Sequence, residues 1–363
     1  MPRLAAAAPF LLVLAAAAVP APAAPPLVTV EGVIPFPDRG RAADGAEVTI
    51  TGLSGVAWLG GDDFVAVMDN SDCLVRFTLD LAATGGPQAV RDVRIVRLDA
   101  VHDYEDVAVC PETLRRRIAR RRGAAGEADP GPCLLVCEED TPAIRGVTLD
   151  SGRLLGLVPL PDLLRGRRPN RGLEAVAVEA DGSRIWTASE EALVGDGPAS
   201  AADTGTVVRL VGIPVPDGPD TGRAVVQFAY AVAPPHPFVR VFAGEPLAGV
   251  VAIVPLGAGR LLVLERSAGP GLPPFTSRLT LVDTRAAADV SGVDRALAER
   301  PELHVASELV WEEALGCNLE GLCLGPALAA GRRSLVGVAD NGGLGTPNQL
   351  LGLSLAAPPL TSP

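Results

Sequence analysis

The sequence contains no lysine, so all 31 of its basic residues are arginine. Schiff-base chemistry, a Walker-type nucleotide loop and a lysine general base are thereby excluded. Histidine is nearly as scarce, with only His102, His236 and His304, and a three-histidine zinc site has no support in their spacing. No Gly-x-Ser-x-Gly turn occurs, and His102 beside Asp103 is the best available base for a serine nucleophile. Serine-hydrolase chemistry is therefore poorly supported. The six cysteines include no paired Cys-x-x-Cys motif of the zinc type. Aromatic residues make up 4% of the chain, and Trp58, Trp186 and Trp311 fit core positions better than a ligand platform. Beyond the first 23 residues no apolar run is long enough to span a bilayer. Positive charge is also in deficit: the net charge of −12 argues against nucleic acid or an anionic membrane as the main partner.

Residues 1–23 carry the features of a secretory signal. Arg3 provides the positive start, Leu4 to Val19 the apolar run, and Ala21-Pro-Ala23 the small-residue cleavage site. A secreted or periplasmic protein with no membrane span after cleavage is expected; an uncleaved anchor helix is the alternative. In that setting the cysteines are read as disulfides. Cys110 and Cys133 would clamp the arginine-rich insertion between them, and Cys317 and Cys323 would lock the loop they flank. Cys73 and Cys137 are left over, and free thiols are the alternative for each pair. The arginines of the insertion, Arg115–Arg117 and Arg120–Arg122, suit a solvated loop or short helix better than a phosphate site.

What the chain has in quantity is glycine (40) and proline (34), which suit many short strands and turns. One hairpin plan recurs five times: a loop with a polar residue, a short apolar strand, a turn, a second apolar strand and another polar residue. It is clearest in Asn318-Leu-Glu-Gly-Leu with Val338-Ala-Asp340-Asn341, and in Asn170-Arg-Gly-Leu-Glu174 with Thr187-Ala-Ser-Glu190. Further copies start near Ser54, Glu105 and Val250. Such a repeat predicts a single all-β domain over residues 24–355, a β-propeller closed by its N-terminal strand Leu27 to Ile34, with a proline-rich tail over 356–363. Successive starts are 51 to 76 residues apart, more than one blade of about 40–50 residues. Six blades are therefore expected, with five or seven as alternatives. Ala286 to Ala298 is the best helical candidate.

These residues resemble the phytase-like family, described as the esterase-like activity of phytase. The resemblance rests on Leu53-Ser-Gly-Val-Ala-Trp with Met68-Asp-Asn70, Asp103-Tyr-Glu-Asp, Asn170-Arg-Gly-Leu-Glu-Ala with Ala188-Ser-Glu190, Leu262-Val-Leu-Glu-Arg266, and Asn318-Leu-Glu-Gly with Ala339-Asp-Asn341 and Asn348-Gln349. It covers nearly the whole mature chain and implies an exported propeller that hydrolyses phosphoester or, less strongly, carboxyl ester bonds. The family's usual Glu-Gly becomes Glu105-Asp106 and Glu174-Ala175 here, and only Glu320-Gly321 keeps it.

Closing the blades into a ring would bring the hairpin ends to one channel mouth. Glu105, Glu174 and Glu320 are the candidate catalytic residues there, and Arg171 and Arg266 the candidate substrate-binding ones. Asp69, Asn70, Glu190, Glu265, Asp340 and Asn341 are candidate ligands for Ca²⁺, a cation served by carboxylate and amide oxygens. Glu138 is a further strand-end acid. The reading is a Ca²⁺-dependent hydrolase acting as a monomer on a small phosphoester. The alternative is a non-catalytic propeller that binds a ligand or protein partner, its acids bracing one blade against the next.

Overall fold

The computed structural model describes residues 27–121, 131–340 and 347–356. The expected signal segment, Asn341 and the tail beyond Ala356 lie outside the described residues. Five antiparallel sheets form the blades. From the innermost strand outward, blade one comprises Leu53–Gly60, Asp63–Met68, Ser71–Leu81 and Pro87–His102, extended at its edge by Arg39–Ala42 and Glu47–Thr49. Blade two runs Tyr104–Val109, Cys133–Glu138, Ala143–Thr148 and Leu154–Val158, and blade three Leu173–Val178, Arg184–Ser189, Thr206–Pro214 and Val226–Val232. Blade four is Leu247–Gly257, Arg260–Ala268, Phe275–Asp283 and Ser307–Glu313. Blade five combines Asn318–Ala327, Arg333–Asp340 and Gln349–Leu355 with the N-terminal strand Val28–Pro35, which pairs with Gln349–Leu355 from the far end of the chain. The expected closure by the first strand is thus present.

The count is five rather than the favoured six. Among the described residues no weaker blade hides in the long gaps, which hold additions to existing blades. Blade two carries the helix α1 (Glu112–Arg121), and blade three is followed by a small ribbon of Val239–Arg240 and Gly271–Leu272. Ala286 to Ala298 is not a helix, because its backbone groups are engaged elsewhere. Val290 and Val293 accept hydrogen bonds from the Arg209 guanidinium, and the Val290 N–H donates to Gln227 O, pinning the segment to blade three. Among the described residues, no helix is long and apolar enough to cross a membrane.

Each neighbouring pair of blades buries its own apolar cluster. Leu135, Leu173 and Ile185 lie between blades two and three, Trp186, Val250 and Val263 between three and four, and Phe64, Val338 and Leu350 between five and one. The alternation of a strand sends successive side chains to opposite faces, so every blade feeds two of these clusters. The ring is tightest where backbones meet: a Cβ at Gly55 would collide with Asp106 Cα, and one at Gly321 with Ser54 O. At the matching place in blade two, Asp106 instead fills the gap to blade three, accepting hydrogen bonds from Val107 N (2.8 Å) and Val176 N (2.9 Å). The departure from Glu-Gly at residue 106 therefore swaps a backbone contact for a carboxylate bridge between blades.

All six cysteines are free thiols in the structure. Cys110 and Cys133 do lie side by side, with Cys110 N–H donating to Cys133 O at 2.9 Å. Cys317 and Cys323 cannot be bridged, in contrast to the expectation. They lie along one extended segment, roughly 18 Å apart by strand rise, whereas a disulfide needs Cα atoms within about 7 Å. Cys73 and Cys137 belong to different apolar clusters.

Candidate functional site

The innermost strand of every blade is broken by a bulge at the same position. The ladder register shifts between Leu53 and Val56, Tyr104 and Asp106, Leu173 and Ala175, Val250 and Ala252, and Leu319 and Gly321. A bulge re-aims the extra residue away from the regular alternation. The extra residues are Ser54, Glu105, Glu174, Val251 and Glu320, one per blade. Three acids, one hydroxyl and one apolar side chain thus occupy equivalent places around one channel mouth.

A second ring follows from the partner strands. Met68, Glu138, Ser189, Glu265 and Ala339 oppose the residue before each bulge. The next residue points the opposite way, which brings Asp69, Glu139, Glu190, Arg266 and Asp340 to the mouth. Their backbones are held alike: the N–H groups of Asp69, Glu139 and Glu190 donate to Gly52 O, Asp103 O and Gly172 O at 2.8–2.9 Å, while Arg266 and Asp340 oppose Gly249 and Asn318.

This register corrects one expected ligand. Glu265 faces away from the mouth, buried against Tyr230, whose hydroxyl donates to it, and Ala233 N at 3.2 Å. Glu138 is likewise turned aside, buried in an ion pair with Arg145. Their chain neighbours Arg266 and Glu139 take the ring positions. Glu139 and Asp103 were legible only by aligning the five repeats on the bulge, since each acid-rich stretch offers two adjacent carboxylates and period-two alternation admits one. Asn70 is exposed, and its amide donates to Asp69, so it supports that carboxylate from outside.

The mouth divides into two halves. On blades three to five the acids are braced. The Arg266 guanidinium donates to Glu320 at 2.7 Å and to Glu190, linking the blades on either side of its own. Arg171 Nε lies 3.2 Å from Glu190 Oε2 and 3.9 Å from Glu191 Oε2. Burial works against the charge of Arg266, but the attraction of Glu320, Glu190 and Glu174 prevails and holds it protonated. Glu320 is pushed up to about 7 by burial, with Arg266 opposing and the charges of Glu190 and Asp340 reinforcing. Both expected substrate-binding arginines therefore neutralise the protein's own acids.

Around Glu105, among the described residues, no arginine forms an ion pair with Asp69, Asp103, Glu105, Glu139 or Glu174, although the charges of Arg171 and Arg266 bear on Glu139 and Glu174. Carboxylate oxygens of Asp69, Asp103 and Glu105 lie within 4.8 Å of one another, and those of Glu105, Glu139 and Glu174 likewise. Ser54 Oγ donates to Glu105 Oε2 at 2.8 Å. Burial, a hydrogen bond shared with Asp103 and that residue's charge push Asp69 up to about 7. Burial also lifts Glu139 to about 7, against a hydrogen bond from Gly172 N. Glu105 and Glu174 are raised well above the usual carboxylate range, first by burial and then by neighbouring acids. Glu174 is only 7% exposed, and among the described residues no hydrogen-bond or ion-pair partner meets its carboxylate.

A family model, described as phytase-like, the esterase-like activity of phytase, matches residues 48–343. The chain belongs to this family. The five bulged hairpins with their acids all fall inside the matched span. A comparison with curated proteins gives no match. Solved structures similar to this phytase-like propeller include a chain of the Chaetomium thermophilum Polycomb Repressive Complex 2 bound to GSK126, at 12% identity, with 87% of this chain and 73% of that one covered and a TM-score of 0.37. Another is the tail fiber of Staphylococcus aureus phage P68, at 8% identity, 89% and 53% coverage and a TM-score of 0.36. A streptogramin B lyase matches at 8% identity, 85% and 95% coverage and a TM-score of 0.32.

In the phytase-like site, the donor set of the unbraced half suits a hard divalent cation. It offers five carboxylates, with Glu105 common to both trios, and one of them, the buried Glu174, has no hydrogen-bond donor among the described residues. Oxygen-only ligands at this density are the environment Ca²⁺ takes, and a cation would relieve the repulsion that now raises these pKa values.

Proposed function

We propose that this exported phytase-like propeller is a Ca²⁺-dependent phosphoester hydrolase acting at the acidic mouth of its channel. The observation that carries the reading is the pair of carboxylate trios sharing Glu105, the second of which includes the buried Glu174. Asp69, Asp103, Glu105, Glu139 and Glu174 would hold the cation. When bound, it would supply positive charge against the phosphoryl oxygens and lower the pKa of attacking water. The chain's own residues would do the rest. Glu320, poised near neutrality, is suited to take the proton from attacking water or return one to the leaving oxygen. Arg266 and Asn318, both bonded to Glu320, fix its orientation. The charge balance favours a small substrate carried in with its cation over a polyanion such as nucleic acid. In an oxidising compartment the adjacent Cys110 and Cys133 would form one disulfide across the base of α1.

The test is phosphate release by the purified mature chain from a phosphomonoester panel that includes phytate, with simple carboxyl esters alongside, in Ca²⁺ and in chelator. Calcium-dependent release, lost in Glu105→Gln and Glu174→Gln with folding retained, is the expected result. Silence on every substrate would leave the mouth as a binding site without turnover.

A further inference from the structure

The channel has a second, chemically different end. One residue below the bulges, starting at Asp106, it widens into a cavity of about 820 Å³ that opens on the face opposite the acidic mouth. That volume lies within the range of small-molecule pockets, about 300–1,000 Å³. Its wall is mainly apolar, formed by the second halves of the innermost strands, with Trp58, Val109, Val178, Pro255, Leu322 and Leu324 among its residues. Among the described residues the lining carries five carboxylates, Asp106, Glu112, Glu179, Asp181 and Asp217, and no basic side chain.

Three of these acids are held by neutral donors and not by cations. Asp106 accepts from two backbone N–H groups, Glu179 from Trp186 Nε1 at 2.9 Å, and Asp181 from Ser183 N at 2.8 Å. Glu112 pairs with Arg115 and Arg116, and Asp217 lies 3.7 Å from Arg117, so these two rim acids are partly offset while Glu179 and Asp181 have no ion pair among the described residues. An apolar cavity with an acidic rim and an indole in its wall has the properties that retain an apolar body bearing one positive charge. An anion would meet mainly like charge, and a neutral apolar molecule would gain nothing from the rim.

We propose that this cavity is a binding site for an amphiphilic organic cation, an aliphatic or aromatic amine or quaternary ammonium. Its apolar body sits against Leu322 and Val178, and its ammonium lies at the rim among Glu179, Asp181 and Asp217. The site is separate from the acidic mouth and does not depend on the hydrolase reading.

The experiment is calorimetric titration of the full chain, in chelator, with octyltrimethylammonium, octanol and octyl sulfate. The cation is expected to bind about tenfold or more tightly than octanol, with no binding of the sulfate, because the charge is recognised as well as the chain. Asp217→Asn, at an exposed left-handed position that Asn tolerates, combined with Glu179→Gln, which keeps an acceptor for Trp186, should cut that preference at least threefold. Val109→Arg places a fixed cation at the half-exposed rim and should abolish binding of the ammonium. Equal affinity for octanol and the cation, no binding of either, or an ammonium isotherm unchanged in both variants would each overturn the proposal. Circular dichroism of the variants excludes misfolding as the cause of a loss.

Discussion

Arg266 stands in a ring position that the other four blades give to an acid, and it joins two acids from different blades. Its side chain is 14% exposed, that of Glu190 1% and that of Glu320 12%. Removing one partner of a buried pair leaves the remaining charges unpaired and costs about 3 kcal/mol or more. Arg266→Met should therefore lower stability by that amount in urea unfolding at pH 8. Arg266→Lys should recover little of it, because a point charge does not reproduce the two-armed contact. Glu174 calls for the opposite expectation. Among the described residues its carboxylate forms no ion pair, and burial with the charges of Glu105, Glu190 and Glu139 outweighs the attraction of Arg266, so Glu174→Gln should raise the melting temperature in chelator while removing the extra stability that Ca²⁺ confers. A variant that melts lower in chelator would instead make Glu174 a bracing residue.

The bulged hairpin is the element from which the site is built. Repeating it five times places one bulge side chain per blade at the mouth. The bulge also brings neighbouring innermost strands into backbone contact, so the residue after it is constrained by space. Gly321→Ala should destabilise by about 1–3 kcal/mol, the usual cost of overpacking, since its Cβ would meet Ser54 O and Gly55 Cα. Gly292, whose Cβ would meet nothing within 4 Å, provides the control: Gly292→Ala should change stability by less than about 0.5 kcal/mol. Equal effects in thermal unfolding would mean that the close approach of blades five and one is unimportant.

For the whole molecule, the accumulated acids make stability depend on pH. Asp69, Glu139 and Glu320 are raised from ordinary carboxylate values to about 7 in the folded state. The native chain therefore binds more protons than the unfolded chain between roughly pH 4 and 7, and stability falls as pH rises through that window. In chelator the protein should melt at a lower temperature at pH 8 than at pH 5. Ca²⁺, which binds the deprotonated acids, should raise the melting temperature more at pH 8 than at pH 5. A chelated protein that is more stable at pH 8 would contradict the electrostatic account. Closure is a second property of the whole ring. Deleting residues 27–35 exposes the edge of blade five at Gln349–Leu355, and the expected result is loss of cooperative unfolding and gain of aggregation by light scattering.

The amino-acid sequence alone determined the all-β repeat, the closing N-terminal strand and most of the acids at the mouth, because period-two apolar strands and recurring turn residues are local signals. Glu105, Glu174 and Glu320 could be picked out because each copy of the hairpin repeats the same local order. The number of blades was not local, since insertions such as α1 lengthen a repeat without adding a sheet. Nor was the choice between Glu138 and Glu139, or Glu265 and Arg266, which depends on a ladder register set by strand pairing. The tertiary structure alone decided that half of the mouth is braced by arginine and the other half is not. That division arises because Arg266 reaches across two blade boundaries, to residues 76 positions before it and 54 after it in the chain.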